Sequence, residues 1–142
     1  MRPTPIRHIP EDQSLLYLFP PPGRTVRAQR EILLPYVYNR DGRCWVPGCK
    51  GLGVCSAHEG IVTRGDVQGW DKGWRCLIHT VYNSVWLCHA RHHETDLEPS
   101  AMEIAEWMVE QYTRAELVRW LECLPFKQRP AKVREILRRF DV

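Results

Sequence analysis

The cysteines and histidines of this chain are concentrated in one stretch of fifty residues, from Cys44 to His93. Five of the six cysteines and five of the six histidines lie there. A uniform scatter along 142 residues would not produce this concentration, so the stretch needs a chemical explanation. Cysteine and histidine are the ligands that zinc prefers in proteins. The stretch therefore predicts a metal site, and it constrains the fold more than any other feature.

The cellular environment bears on this prediction. The N-terminus carries Pro3, Pro5 and Pro10 and lacks an apolar run with a small-residue cleavage site, so we expect no secretory signal. No run of about 18 apolar residues occurs, so we expect no membrane span. These features favour a cytoplasmic protein, and in a reducing compartment clustered cysteines are metal ligands more often than disulfides.

The length of 142 residues indicates one domain, and the pattern of residues along it predicts an α+β fold with a short sheet and several helices. Thr25 can cap a helix over 26–34 that Pro35 would end, and strands are expected at 54–57 and 76–82. A further helix should begin near Cys88. Ser100 and Thr113, each followed three residues later by glutamate, predict two capped helices, and a last helix is expected over 131–140.

Two pairs of residues have the spacing of zinc ligands. Cys44 and Cys49 enclose Pro47-Gly48, which can form a tight turn, and Cys88 and His92 are one helical turn apart. If these four residues bind one zinc ion, several polar residues of the stretch have no structural role. A second metal ion, with an open coordination position for a phosphate and a water, would explain them. These residues are His58, Glu59, Asn83, His89 and His93.

The order of these motifs resembles the HNH endonucleases, the ββα-metal nucleases with a structural zinc. The matching motifs cover about fifty residues and are Cys44–Cys49 around Pro47-Gly48, Cys55-Ser-Ala-His58-Glu59, Asn83, Leu87-Cys88 and His92-His93. The resemblance implies a ββα-metal core with a zinc staple at 37–98, an N-terminal arm and short helix at 1–36, and a C-terminal helical extension at 99–142.

The resemblance also implies roles for individual residues. Cys44, Cys49, Cys88 and His92 would bind the structural Zn²⁺. His58 and His93 would hold a catalytic divalent ion such as Mg²⁺ or Mn²⁺, and Asn83 would orient the site. The family usually has histidine as the general base, whereas this chain has Glu59, which could act as the base or add a metal ligand. His89 remains an alternative to His92 or His93.

DNA is the expected substrate. Arginines and lysines flank the cluster on both sides, although the net charge is only +3, and Arg64 and Arg91 are candidate phosphate contacts. The C-terminal helices could brace the nuclease unit, form a homodimer or bind a protein partner. The sequence thus predicts a DNA endonuclease of bacterial or phage type. The alternative is a catalytically inactive zinc-binding module that binds nucleic acid or a protein.

Overall fold

The computed structural model describes residue 20 and residues 22–46, 48–49, 55–89, 92 and 97–141. The predicted N-terminal arm up to residue 19 lies outside the described residues. The α-helices, here α1 to α4, span Val26–Asp41, Ala101–Gln111, Arg114–Glu122 and Ala131–Phe140. The strands β1 and β2 span Cys55–Glu59 and Ser84–Cys88, and short 3₁₀ helices span Gly65–Val67, Lys72–Ile78 and Phe126–Gln128. The chain is therefore α+β, as predicted.

Helix α1 is longer than the sequence predicted. Thr25 caps it, because the hydroxyl accepts a hydrogen bond from the backbone N–H of Ala28 at 3.1 Å. The expected end at Pro35 is wrong, since the helix continues to Asp41 and stops at Gly42, whose φ of 64° is left-handed. The missing N–H of Pro35 costs one helical hydrogen bond. Burial of Leu33 and Val37 on the core side compensates for that loss.

The two strands form an antiparallel hairpin-like sheet. Cys55 pairs with Cys88 at one end, and Glu59 pairs with Ser84 at the other. The predicted strand over 76–82 is wrong, because Lys72–Ile78 is a 3₁₀ helix and β2 begins only at Ser84. The β-branched and aromatic residues that suggested a strand are instead buried in a turn. The strand-like composition of this segment therefore reflects its burial and not pairing in a sheet.

A buried arginine joins α1 to the sheet and to the C-terminal helices. Arg40 is fully buried and donates two hydrogen bonds to the carboxylate of Asp41, at 2.6 and 3.0 Å. It also donates to the carbonyl oxygen of Val81 at 2.7 Å and to the hydroxyl of Tyr112 at 3.2 Å. The Asp41 carboxylate in turn accepts from the backbone N–H of Trp86 in β2. This network fixes α1 against the rest of the core.

The C-terminal helices begin where the sequence predicted. Ser100 and Thr113 accept hydrogen bonds from the backbone N–H groups three residues later, which confirms both caps. Trp120 of α3 donates its indole N–H to the carbonyl oxygen of Leu77 at 2.8 Å, so the helices brace the turn before β2. No helix of the described residues is long and apolar enough to cross a membrane.

Candidate functional site

Four side chains converge at one end of the sheet. Cys44 follows the end of α1, Cys49 follows a turn through Gly48 with a left-handed φ of 81°, and Cys88 ends β2. The backbone N–H of His92 donates to the carbonyl oxygen of Cys88 at 3.0 Å, which closes a helical turn and brings the imidazole back to the sulfur. The ligand atoms of all four residues lie within 4.8 Å of one another, and all four residues are buried.

The distances within this cluster fit a tetrahedral zinc ion. With Zn–S bonds of roughly 2.3 Å, tetrahedral sulfurs lie roughly 3.8 Å apart, and Cys49 Sγ and Cys88 Sγ are 3.9 Å apart. His92 Nδ1 lies 3.2 Å from the Sγ atoms of Cys44 and Cys88. Burial, and to a smaller degree the neighbouring Cys49, raise the pKa of Cys44 to about 12. A bound cation would favour the thiolate form of Cys44, which is the form that ligates a metal.

The four residues predicted as zinc ligands therefore form a buried Cys3His cluster that could hold a metal ion such as zinc. His89, the alternative to His92, lies elsewhere. Its imidazole is exposed, and its Nε2 is 2.7 Å from the hydroxyl of Ser56. Cys55 pairs with Cys88 across the sheet but is not one of the clustered ligands.

His58 and Glu59 lie on β1, towards the end of the sheet opposite the Cys3His cluster. Both line a small cleft between β1 and α1, here called the His58–Glu59 cleft, to which Arg30, His79 and Ser84 also contribute. His58 Nε2 is 2.6 Å from Glu98 Oε1, and Glu59 Oε1 is 3.9 Å from His79 Nδ1. The two predicted catalytic side chains therefore share one partly exposed site.

Asn83 fixes the turn that follows these residues. Its side chain is fully buried and forms four hydrogen bonds to the backbone. The Oδ1 atom accepts from the N–H groups of Ile61 and Val62, at 2.8 and 2.9 Å. The Nδ2 atom donates to the carbonyl oxygens of Val62 and Ile78, also at 2.8 and 2.9 Å. The carbonyl oxygen of Asn83 accepts from the N–H of Gly60, directly after Glu59. Asn83 thus positions the end of β1.

Two residues at the cleft were not predicted as site residues. His79 lies within the predicted strand over 76–82, but in the structure it follows the 3₁₀ helix Lys72–Ile78 and faces Glu59. Burial lowers the pKa of His79 to about 4, and Arg30 and Arg64 act in the same direction against the opposing effect of Glu59. Its imidazole is therefore neutral at pH 7. Glu98 lies 40 residues beyond His58 in a segment without a recognisable motif.

The remaining predicted site residues are Arg64, Arg91 and His93. Arg64 is exposed, next to the first 3₁₀ helix, and lines a wider cavity beside the His58–Glu59 cleft. His93 and Arg91 lie outside the described residues. In the described part of the chain, the Cys3His cluster is the only group of three or more ligands close enough to hold a metal ion. His58 and Glu98 contribute two adjacent ligand atoms, so the catalytic ion stays a prediction.

Comparison of this chain with protein-family models, with curated proteins and with solved structures finds no match. Membership of the HNH family therefore stays a prediction from the motifs of the sequence.

Proposed function

We propose that this chain is a metal-dependent endonuclease of the HNH type that hydrolyses phosphodiester bonds in DNA. The observation that carries the proposal is the arrangement around Asn83. This buried side chain binds the backbone on both sides of a turn, and His58 and Glu59 line one cleft directly before that turn. Four hydrogen bonds from one amide are the kind of support that keeps catalytic side chains in a fixed position.

The side chains of the cleft have complementary roles in this proposal. His58 would hold the divalent ion together with His93, and Glu98 is close enough to orient the His58 imidazole or to contribute a ligand. Glu59 would accept the proton of the attacking water. Such an ion supplies several kcal/mol of charge stabilisation to the transition state. A positioned base contributes roughly 10²–10⁴-fold in rate.

Positive charge near the cleft favours a polyanionic substrate. Arg30 lines the cleft itself, and Arg64 lines the adjacent cavity. Guanidinium groups form planar, bidentate hydrogen bonds to phosphate oxygens, and these contacts do not depend on the base sequence. The proposed contact is therefore with the DNA backbone.

The second candidate function is a zinc-binding module without catalysis. It is favoured by one observation, namely that only the Cys3His cluster offers three or more metal ligands among the residues that the structure describes. A staple of this kind stabilises a small fold by itself. Such a module would bind nucleic acid or a protein partner without cleaving it.

A plasmid-cleavage assay separates the two functions. The full chain is incubated with supercoiled DNA in EDTA, Mg²⁺ or Mn²⁺, next to His58→Ala and Glu59→Ala. The matched control is His89→Ala, which removes an exposed imidazole outside the cleft. The endonuclease predicts cleavage only with a divalent ion, at a rate at least ~100-fold lower in both cleft variants and unchanged in the control. Binding without cleavage in every metal would support the zinc module instead.

A further inference from the structure

A cavity of about 310 Å³ lies beside the His58–Glu59 cleft and is here called the arginine cavity. Among the described residues, its apolar lining consists of Val26, Val67 and Ile78. Its polar lining includes Arg64, Arg75 and His79. The volume is at the lower end of the range for small-molecule sites, roughly 300–1,000 Å³. The cavity therefore has room for one small ligand and not for a base pair.

The charge of the arginine cavity is positive. Arg75 donates through Nη2 to the carbonyl oxygen of Gln68 at 2.8 Å, which holds the guanidinium in place. Its Nε atom is buried and has no hydrogen-bond partner among the described residues. The Arg64 guanidinium likewise forms no hydrogen bond or ion pair with another residue that the structure describes. A buried donor without a partner is costly, and an anion could satisfy it.

Among the residues that the structure describes, no carboxylate lines the arginine cavity to cancel this charge. Asp66 is close in sequence, but its carboxylate accepts from the N–H and the hydroxyl of Thr63 and contacts Lys132 Nζ at 2.6 Å. His79 is neutral at pH 7, because burial lowers its pKa to about 4. It therefore adds a flat, polar ring to the wall and no charge of its own.

This lining matches a ligand that carries an anionic group on a planar, largely apolar ring. A nucleotide is such a ligand. His79 belongs to the walls of both the arginine cavity and the His58–Glu59 cleft, so the two spaces are adjacent. We propose that the arginine cavity binds one unpaired nucleotide that flanks the scissile phosphate, with Arg64 and Arg75 on its phosphate and the apolar side chains against its base. This inference rests on the proposed endonuclease function.

A preference for unpaired DNA follows from the size of the cavity. A base that enters it has to leave the stacked duplex, which costs free energy unless the base is already unpaired. The enzyme should therefore cleave single-stranded, gapped or frayed DNA faster than an intact duplex. Arginines and a planar apolar surface suit unpaired strands without selecting a sequence.

Calorimetric binding to the full, zinc-loaded chain tests the site without requiring cleavage. The probes are deoxythymidine 5′-monophosphate, thymidine and inorganic phosphate. We expect the nucleotide to bind roughly tenfold or more tightly than thymidine or phosphate, because only the nucleotide uses both parts of the lining. Equal binding of phosphate and nucleotide would overturn the proposal, since it would indicate a simple anion site.

Two variants address the cavity in different ways. Arg75→Gln removes the guanidinium and should weaken nucleotide binding roughly tenfold or more. Val26→Phe adds bulk at a half-buried residue of the lining and retains both arginines and the contact of Arg75 with Gln68. Its effect therefore does not depend on the removal of a guanidinium. Arg138→Gln on the exposed face of α4 is the matched control and should bind like the wild type. Unchanged binding in both cavity variants would overturn the proposal.

Cleavage assays then separate this inference from the proposed function. With gapped and intact duplexes as substrates, Val26→Phe should abolish the preference for the gapped DNA. Equal cleavage of both substrates by the wild type would refute the cavity proposal and leave the endonuclease intact. Nucleotide binding that both variants abolish, in a chain that cleaves no DNA, would support the cavity and refute the endonuclease.

Discussion

Asn83 offers the sharpest test of how this fold holds its candidate site. Replacement of Asn83 by alanine removes four hydrogen bonds and leaves buried backbone groups of Ile61, Val62 and Ile78 without those partners. Each hydrogen bond contributes about 1 kcal/mol net, and each unsatisfied buried group costs about 1–3 kcal/mol. We therefore expect the free energy of unfolding to fall by at least about 4 kcal/mol. That is a large share of the roughly 5–15 kcal/mol of a typical domain.

Urea denaturation of the zinc-loaded chain measures this loss. Asn83→Asp is the informative second variant, because its carboxylate keeps the two acceptor contacts but places an oxygen against the carbonyl groups of Val62 and Ile78. It should be destabilised nearly as much as the alanine variant. Asn39→Ala, on the exposed face of α1, is the control. A loss below about 1 kcal/mol in both Asn83 variants would refute the idea that this amide fixes the turn.

Three further predictions concern the core. Arg40→Leu removes the guanidinium that offsets the charge of the buried Asp41 carboxylate, so we expect urea denaturation to show a free energy of unfolding lower by about 3–5 kcal/mol. A near-neutral effect would contradict this. The pKa of the buried His79 is about 4, against 6.5 in the unfolded chain, so the unfolded chain binds the proton more readily as the pH falls. The free energy of unfolding should therefore fall by roughly 3 kcal/mol between pH 6.5 and pH 4. Denaturation of His79→Gln at each pH should lack this part of the acid dependence. Gly60→Ala places its new Cβ 2.6 Å from Ile104 Cδ1 and should lower the free energy of unfolding by about 1–3 kcal/mol. The loss should be smaller in an Ile104→Val background, because valine lacks this atom. Additive losses in the double variant would rule out the contact.

The elements that the sequence predicted correctly are those whose signals are local. The caps of α2 and α3 depend on Ser100 and Thr113 and on backbone groups three residues away, so neighbouring residues were sufficient. The four residues of the Cys3His cluster were also identifiable, because cysteine and histidine in two close pairs have the spacing that is typical of zinc ligands. Each cap, and each of the two pairs Cys44–Cys49 and Cys88–His92, spans only a few residues, whereas the meeting of the two pairs depends on the fold.

The errors arose where contacts between distant segments decide the structure. Helix α1 passes Pro35 because its apolar face is buried against the core, and that burial outweighs one lost hydrogen bond. The 76–82 segment has the composition of a strand, but side chains donate to its carbonyl oxygens in place of a neighbouring strand. The donors are Asn83 and, from distant parts of the chain, Gln29, Arg40 and Trp120. Pattern alone does not distinguish a buried turn from a buried strand.

The residues that surround His58 in the fold could not be predicted from the sequence either. Its contact with Glu98 joins β1 to the segment before α2, and its cleft is completed by His79 from the 3₁₀ helix. Neither residue follows a spacing that relates it to His58 in the sequence. Such pairs become visible only when the chain is folded, because no local period connects them.

The Cys3His cluster is the centre of this account, and the zinc content of the purified protein tests it most directly. Emission spectrometry after dialysis should find one zinc ion per chain in the wild type and in Cys123→Ser, which alters an exposed cysteine outside the cluster. The same measurement on Cys88→Ser, which removes a buried ligand, should find a strongly reduced zinc content. A wild-type chain without zinc, or a Cys88→Ser variant that retains a full equivalent of zinc, would contradict a zinc site at this cluster.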